Sequence, residues 1–179
     1  MKEWEVLSDS EEQFIWKFII ENFKFNPKYN SEENSAPFLI LPKPSAIYDL
    51  HLFNSYLKDP SINIDEDYYN TFNELITKTF IKCMGNDEYI YALDWQHICF
   101  KYNSKSLEKM PSVLELDEFN VYFPEFYPDG DYYFFVSKNF SWGYFTHPWT
   151  QELWIFGKEL IIEISKIPQI YLSPKTVPN

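Results

Sequence analysis

The chain contains no arginine: all 15 of its basic residues are lysine, set against 27 acidic ones, for a formal net charge of -12. Nucleic-acid affinity comes largely from neutralising phosphates, so an acidic chain without guanidinium forks is not expected to read a phosphate backbone. Arginine clamps and fingers leave the list of available mechanisms for the same reason. Glycine is almost as scarce, with 4 in 179 residues. No G-x-G-x-x-G, P-loop or G-x-S-x-G pattern occurs, which argues against a glycine-rich phosphate cradle and against nucleotide-dependent catalysis. The 2 cysteines, Cys83 and Cys99, are far from C-x-x-C spacing and too few for a disulfide framework. Both are expected to be reduced and buried. The start of the chain lacks the cationic and apolar stretches of a leader, and no apolar run approaches the ~18 residues of a membrane span. The expectation is a cytoplasmic protein with no membrane contact.

Aromatics, by contrast, make up 21% of the chain and hydrophobic residues 45%. That composition excludes disorder, and the length fits one domain spanning 1–179. Ser8-Asp9-Ser10-Glu11-Glu12-Gln13 offers two capping-box spacings ahead of an apolar face at Phe14, Ile15, Phe18 and Ile19. This predicts a helix over 9–23. A second helix is predicted over 65–84, with Tyr69, Phe72, Ile76, Phe80 and Cys83 on one face and Gly85 at its end. A third runs over 157–167, stopped by Pro168. Proline and polar clusters mark 28–44 as a loop, and the tail 168–179 reads as irregular.

Between these lie segments with strand composition: 46–50, 88–95, 97–102, 131–137, 142–147 and 152–156. The short connections across 88–156 exclude parallel crossovers there. The predicted fold class is α+β, a single largely antiparallel sheet of about five or six strands flanked by three helices. Residues 132–136 are apolar at every position, which predicts a strand covered on both faces.

The imidazole inventory is His51, His97 and His147. His97 and His147 stand at predicted strand ends and are the candidate acid–base pair, with Asp94 as candidate supporting carboxylate. Trp95, Trp142, Trp149 and Asp131 are candidate ligand-binding residues, since indoles gathered around carboxylates suit a pocket. Each has a plainer explanation. The histidines could be hydrogen-bonded groups among aromatics, the indoles core residues, and Pro128-Asp129-Gly130-Asp131 a tight turn. Cys99 shares a strand face with His97, but a buried cysteine is ordinarily an inert small hydrophobe. With no ligand-spaced His/Cys cluster, neither a metal nor another cofactor is expected.

Four segments taken together carry a resemblance: Leu93-Asp94-Trp95-Gln96-His97, Tyr127-Pro128-Asp129-Gly130-Asp131-Tyr132-Tyr133, Trp142-Gly143-Tyr144-Phe145-Thr146-His147-Pro148-Trp149, and Ile155-Phe156-Gly157-Lys158-Glu159-Leu160-Ile161. They resemble the bacterial family called domain of unknown function 2716. The resemblance implies a stand-alone, single-domain bacterial protein without an established activity. At the level of fold, the glycine-aspartate turn, aromatic strands and closing helix are similar to the SUKH superfamily of toxin-immunity proteins, which are acidic binding modules. The leading expectation is a small acidic binding module for a basic protein partner. The alternatives are a hydrolase-like enzyme, or a small-ligand binder, using an aromatic pocket with His97 and His147. Oligomeric state is left open.

Overall fold

The computed structural model describes residues 4–27, 39–58, 66–85, 89–105, 113–116 and 119–176. The chain opens with strand β1 (Trp4–Val6) and helix α1 (Asp9–Phe23), followed by β2 (Ser45–Asp49), α2 (His51–Lys58) and α3 (Glu66–Cys83). Next come β3 (Ile90–Asp94), β4 (Phe100–Tyr102), β5 (Val113–Leu116) and β6 (Phe119–Tyr122). Strands β7 (Tyr133–Ser137), β8 (Gly143–His147) and β9 (Glu152–Phe156), helix α4 (Lys158–Ile164) and strand β10 (Ser173–Thr176) complete it. Eight strands form one sheet in the order β1-β4-β3-β7-β8-β9-β2-β10, and β5 pairs with β6 alone. Every pairing is antiparallel.

The α+β, antiparallel reading therefore holds, but the counts among the described residues differ: four helices rather than three, and eight strands in the main sheet rather than five or six. Two of the missed elements, three-residue β1 and eight-residue α2, are too short for a periodic signal. Another, β10, lies in the tail expected to be irregular and includes Pro174, a residue tolerated on edge strands, and β5 and β6 fall in a stretch to which the sequence reading assigns no strand. The strand expected from His97 begins only at Phe100, because 95–97 are taken up by the turn after β3. The loop expected over 28–44 falls outside the described residues for 28–38, and 39–44 contain neither helix nor strand.

Helix α1 starts where capping chemistry places it. Ser8 is the N-cap and closes a capping box with Glu11, while Lys24 ends the helix in a left-handed conformation. Its buried stripe is Ile15, Trp16, Ile19 and Phe23. Phe14, read as part of the apolar face, is 62% exposed. In α3 the predicted face is kept, with Phe72, Ile76, Phe80 and Cys83 all buried.

The sheet is sandwiched. On one face α3 and α4 cover Ile90, Ala92, Tyr133, Phe135 and Tyr144; on the other α1 covers Tyr91, Leu93, Phe134, Val136 and Phe145. Strand β7 is buried along its whole length, as its uninterrupted apolar sequence requires. Aromatic rings fill both layers, with Phe80 against Trp142 at 5.2 Å on one face and Trp16 against Phe134 at 5.6 Å on the other.

Gly157 joins β9 to α4 at φ 96°, and a Cβ there would lie 2.5 Å from the Cβ of Trp142 and 2.7 Å from the carbonyl oxygen of Ser141. Strained backbone of this kind costs ~1–3 kcal/mol before any clash. Gly157→Ala is expected to lower unfolding free energy by about 2 kcal/mol or more in urea titrations.

Lys101 on β4 ties the sheet edge to α1, reaching Glu11 Oε1 at 2.8 Å and Glu5 Oε2 at 3.5 Å. The Lys101 hydrogen bond, with others from Ser8, holds the Glu11 carboxyl down at about 2, against an ordinary 4.5. The stabilisation is therefore complete above about pH 4.5 and disappears as pH falls toward 2. Because the pair is partly solvated, Lys101→Gln is expected to cost at most ~1 kcal/mol at pH 7. Urea midpoints of the two proteins should converge as the pH is lowered from 4.5.

Candidate functional site

Side chains alternate along β3. Ile90 and Ala92 face α3, Tyr91 and Leu93 face α1, and the same alternation turns Asp94 toward the α3 side. There it pairs in register with Tyr133 of β7. Asp94 is almost fully buried, and both of its carboxylate oxygens are engaged. Oδ1 accepts the amide of Gln96 at 2.9 Å, and Oδ2 lies 3.0 Å from His97 Nδ1. An aspartate that folds the chain back onto its own backbone two residues on is an Asx turn. It carries His97 out of the sheet with its ring 58% exposed.

The opposing wall comes from the segment before β7. Gly130, at φ 145°, makes a turn that other residues adopt only with strain. The turn sets Asp129 and Asp131 on either side of it. Asp131 Oδ2 lies 3.8 Å from His97 Nδ1, and the Tyr133 hydroxyl donates to Asp129 Oδ1 at 2.7 Å. Further in, the Tyr69 hydroxyl of α3 donates to Glu125 Oε2. Asp94, His97, Glu125, Asp129, Asp131 and Tyr133 surround a pocket of about 390 Å³ that is also lined by Tyr122 and Phe123.

Burial sets its electrostatics. It pushes the Asp94 carboxyl up, although hydrogen bonds from Gln96 and His97 pull the other way. Burial also raises Glu125 against the opposing Tyr69 hydrogen bond. Tyr133 is raised strongly, by burial and then by its bond to Asp129. Four carboxylates, one imidazole and two phenols thus meet at the end of β3, and among the described residues no lysine lines the pocket.

The other candidate residues lie elsewhere. His147 ends β8 on the α1 face, 2% exposed, against Tyr132 at 5.5 Å and Trp154 at 5.8 Å. Its Nδ1 accepts the Thr150 amide at 3.4 Å. His97 and His147 are thus on opposite faces and do not converge. Trp95, one residue past Asp94, turns to the α1 side and meets Trp16 edge-on at 5.1 Å. Trp142 is core, packed on Phe80, and Trp149 is 77% exposed.

Cys99 donates its thiol to the Asp94 carbonyl, and burial pushes the thiol up to about 12. That is an unreactive cysteine. A larger depression of about 560 Å³ runs along α1 past Asp9, Glu12, Lys17 and Trp95, but its charges are of both signs and do not converge. Sequence reasoning assigned no site role to Glu125, Tyr133 or Tyr69: Tyr133 stood in a quoted segment and Tyr69 on a helix face, and Glu125 had no mark at all. It named Asp131 as a candidate ligand-binding residue, with a tight turn through Asp129 and Asp131 as the plainer explanation, and the two do flank such a turn.

No helix among the described residues is long and apolar enough to cross a membrane. The family model described as "Protein of unknown function (DUF2716)" matches residues 6–161, a span that includes every residue of the pocket. "Uncharacterized protein YxiI" of Bacillus subtilis (strain 168) is 29% identical over 175 residues, covering 98% of this chain and 100% of that protein. No solved structure matches the chain. With the family pattern running from β1 into α4, the chain belongs to the DUF2716 family of proteins of unknown function.

Proposed function

We propose that the protein is a binding module that engages a basic protein partner, seating a lysine-type ammonium group in the pocket at the end of β3. The observation that carries this reading is the pocket's charge. Asp94, Glu125, Asp129 and Asp131 line it with His97 as the one basic side chain. Carboxylates gathered in a cleft with low-dielectric walls focus their field outward and speed the approach of a cation. Its volume of about 390 Å³ is ample for an alkylammonium chain, whose methylenes would lie along Phe123 and Ile98. Tyr122, 72% exposed at the rim, is the kind of aromatic anchor on which protein interfaces concentrate their energy. The whole chain, at -12, attracts the same class of partner at long range.

An enzyme that uses His97 and His147 as acid and base finds no support in this arrangement, since the two rings are separated by the sheet. The Asp94–His97 pair has the Cys99 thiol close by, but that thiol donates to the Asp94 carbonyl and burial pushes it up to about 12, so it is no ready nucleophile.

A lysine-rich peptide and its fully acetylated counterpart test the proposal by calorimetric titration. The wild-type protein should bind the first and not the second. Glu125→Gln/Asp129→Asn should weaken binding at least tenfold, whereas Glu21→Gln/Glu159→Gln, with the same change in net charge, should alter it less than twofold. Equal losses in the two double variants would mean diffuse attraction and overturn the pocket reading.

A further inference from the structure

We propose that Asp94, His97 and Asp131 form a binding site for one divalent transition-metal ion of the zinc or manganese class. This goes beyond the reading above and does not depend on it, because the basic-partner proposal can be tested through Glu125 and Asp129. The absence of ligand spacing in the sequence had argued against any metal. The fold supplies what the spacing conceals, by bringing Asp131 across from β7 to a pair only three residues apart on the β3 turn.

The geometry is specific. One ligand atom from each residue can be chosen so that all three lie within 4.8 Å of one another. His97 Nδ1 is 3.0 Å from Asp94 Oδ2 and 3.8 Å from Asp131 Oδ2. Tetrahedral bonds of ~2.0–2.1 Å to nitrogen and oxygen place neighbouring ligand atoms about 3.3 Å apart, a value that falls between those two distances. The Asp94 and Asp131 carboxylates lie within 4.8 Å of each other, so closing the set asks for side-chain movements of up to about 1.5 Å.

Carboxylates alone would make only an acidic surface. The imidazole nitrogen lying between a carboxylate on β3 and one on the turn before β7 distinguishes this cluster. One nitrogen and two oxygens suit zinc or manganese better than calcium or magnesium, which favour all-oxygen shells. With Cys99 turned to the Asp94 carbonyl, no thiolate is present to select softer ions.

The supports beyond the ligands are in place too. Asp94 Oδ1 is fixed by the Gln96 amide, so Oδ2 is presented in one direction, the outer-shell orientation that metal ligands require. Both aspartates flank paired strands of the sheet, β3 and β7, and Gly130 sets the turn that presents Asp131. Metal binding would take the Nδ1 lone pair of neutral His97, with the ring proton on Nε2; where the ring is protonated, one proton leaves to solvent. Three protein ligands leave at least one position open to the pocket, the pattern of sites that exchange water for another ligand rather than of closed structural sites.

Chelator-treated protein titrated separately with zinc chloride and manganese chloride provides the test. One ion per chain is expected for at least one of the two metals. His97→Ala, His97→Gln and Asp131→Asn should each weaken binding tenfold or more. Asp129→Asn, in the same pocket but outside the triad, and His51→Ala, which removes an exposed histidine beside Asp49, should change it less than threefold. Circular dichroism and thermal midpoints matching wild type establish that the variants fold. Binding of neither metal, or binding that survives both His97 substitutions, overturns the proposal. Glu125→Gln/Asp129→Asn, which should lose the lysine-rich peptide, should keep metal affinity within threefold, so a failure of the metal site is read separately from a failure of the basic-partner reading.

Discussion

The constraint on which the rest of the structure depends is that β7 has no side facing water. Tyr133 and Phe135 point into one aromatic layer, Phe134 and Val136 into the other. Helices must therefore close over both faces, α1 on one and α3 with α4 on the opposite one. A sheet so covered has no room for polar chemistry along its middle, and its buried polar side chains collect at strand ends: Asp94, Ser137, Thr146, His147 and Glu152. One of them repairs the ladder itself. The pairing of β7 with β8 begins at Phe134 with Phe145, and the free amide of Tyr133 is accepted by the Thr146 hydroxyl at 3.0 Å.

The aromatic richness that stands out in the composition is largely the material of these two layers. Trp16, Trp142 and most of the described phenylalanines lie in ring-to-ring contact within the core, whereas Phe14, Tyr122 and Trp149 are clearly outside it. The phenols have a second use. Tyr69 and Tyr133 bring hydroxyls from the core to its margin and bond to Glu125 and Asp129. Carboxylates can therefore stand beside apolar rings without being left wholly unsolvated.

What the sequence made legible follows from signal length and phase. The capping box of Ser8 and Glu11 and the long stripe from Phe72 to Cys83 placed α1 and α3 within a residue or so, and β9 was read to its ends. Strands buried on both faces were a different matter. Their presence was evident, but an unbroken apolar run shows no alternation and therefore does not reveal which side a given residue faces. That missing phase is why Asp94, Trp95, His97 and His147 looked like one neighbourhood. Asp94 shares parity with Ala92, and His147 with Phe145, so the sheet separates them. Asp94, His97 and Asp131 were each named from sequence, yet their meeting depends on the register of β3 with β7. Glu125 had no local pattern at all, since its position depends on contact with Tyr69 some 56 residues earlier.

The outermost strands give the sheet its character toward other molecules. At one margin stands β1, three residues long and with Lys101 of the adjacent strand ion-paired beside it; at the other stands β10, whose pairing with β2 is broken by an irregularity between Pro174 and Thr176. A short strand and a proline-interrupted one are poor templates for adding a further strand from another chain. Eight strands wide, the sheet is in effect hemmed on both sides. Recognition by backbone zippering is disfavoured at either hem, so contacts with another molecule fall to side chains, at the mouths and corners where the strands turn.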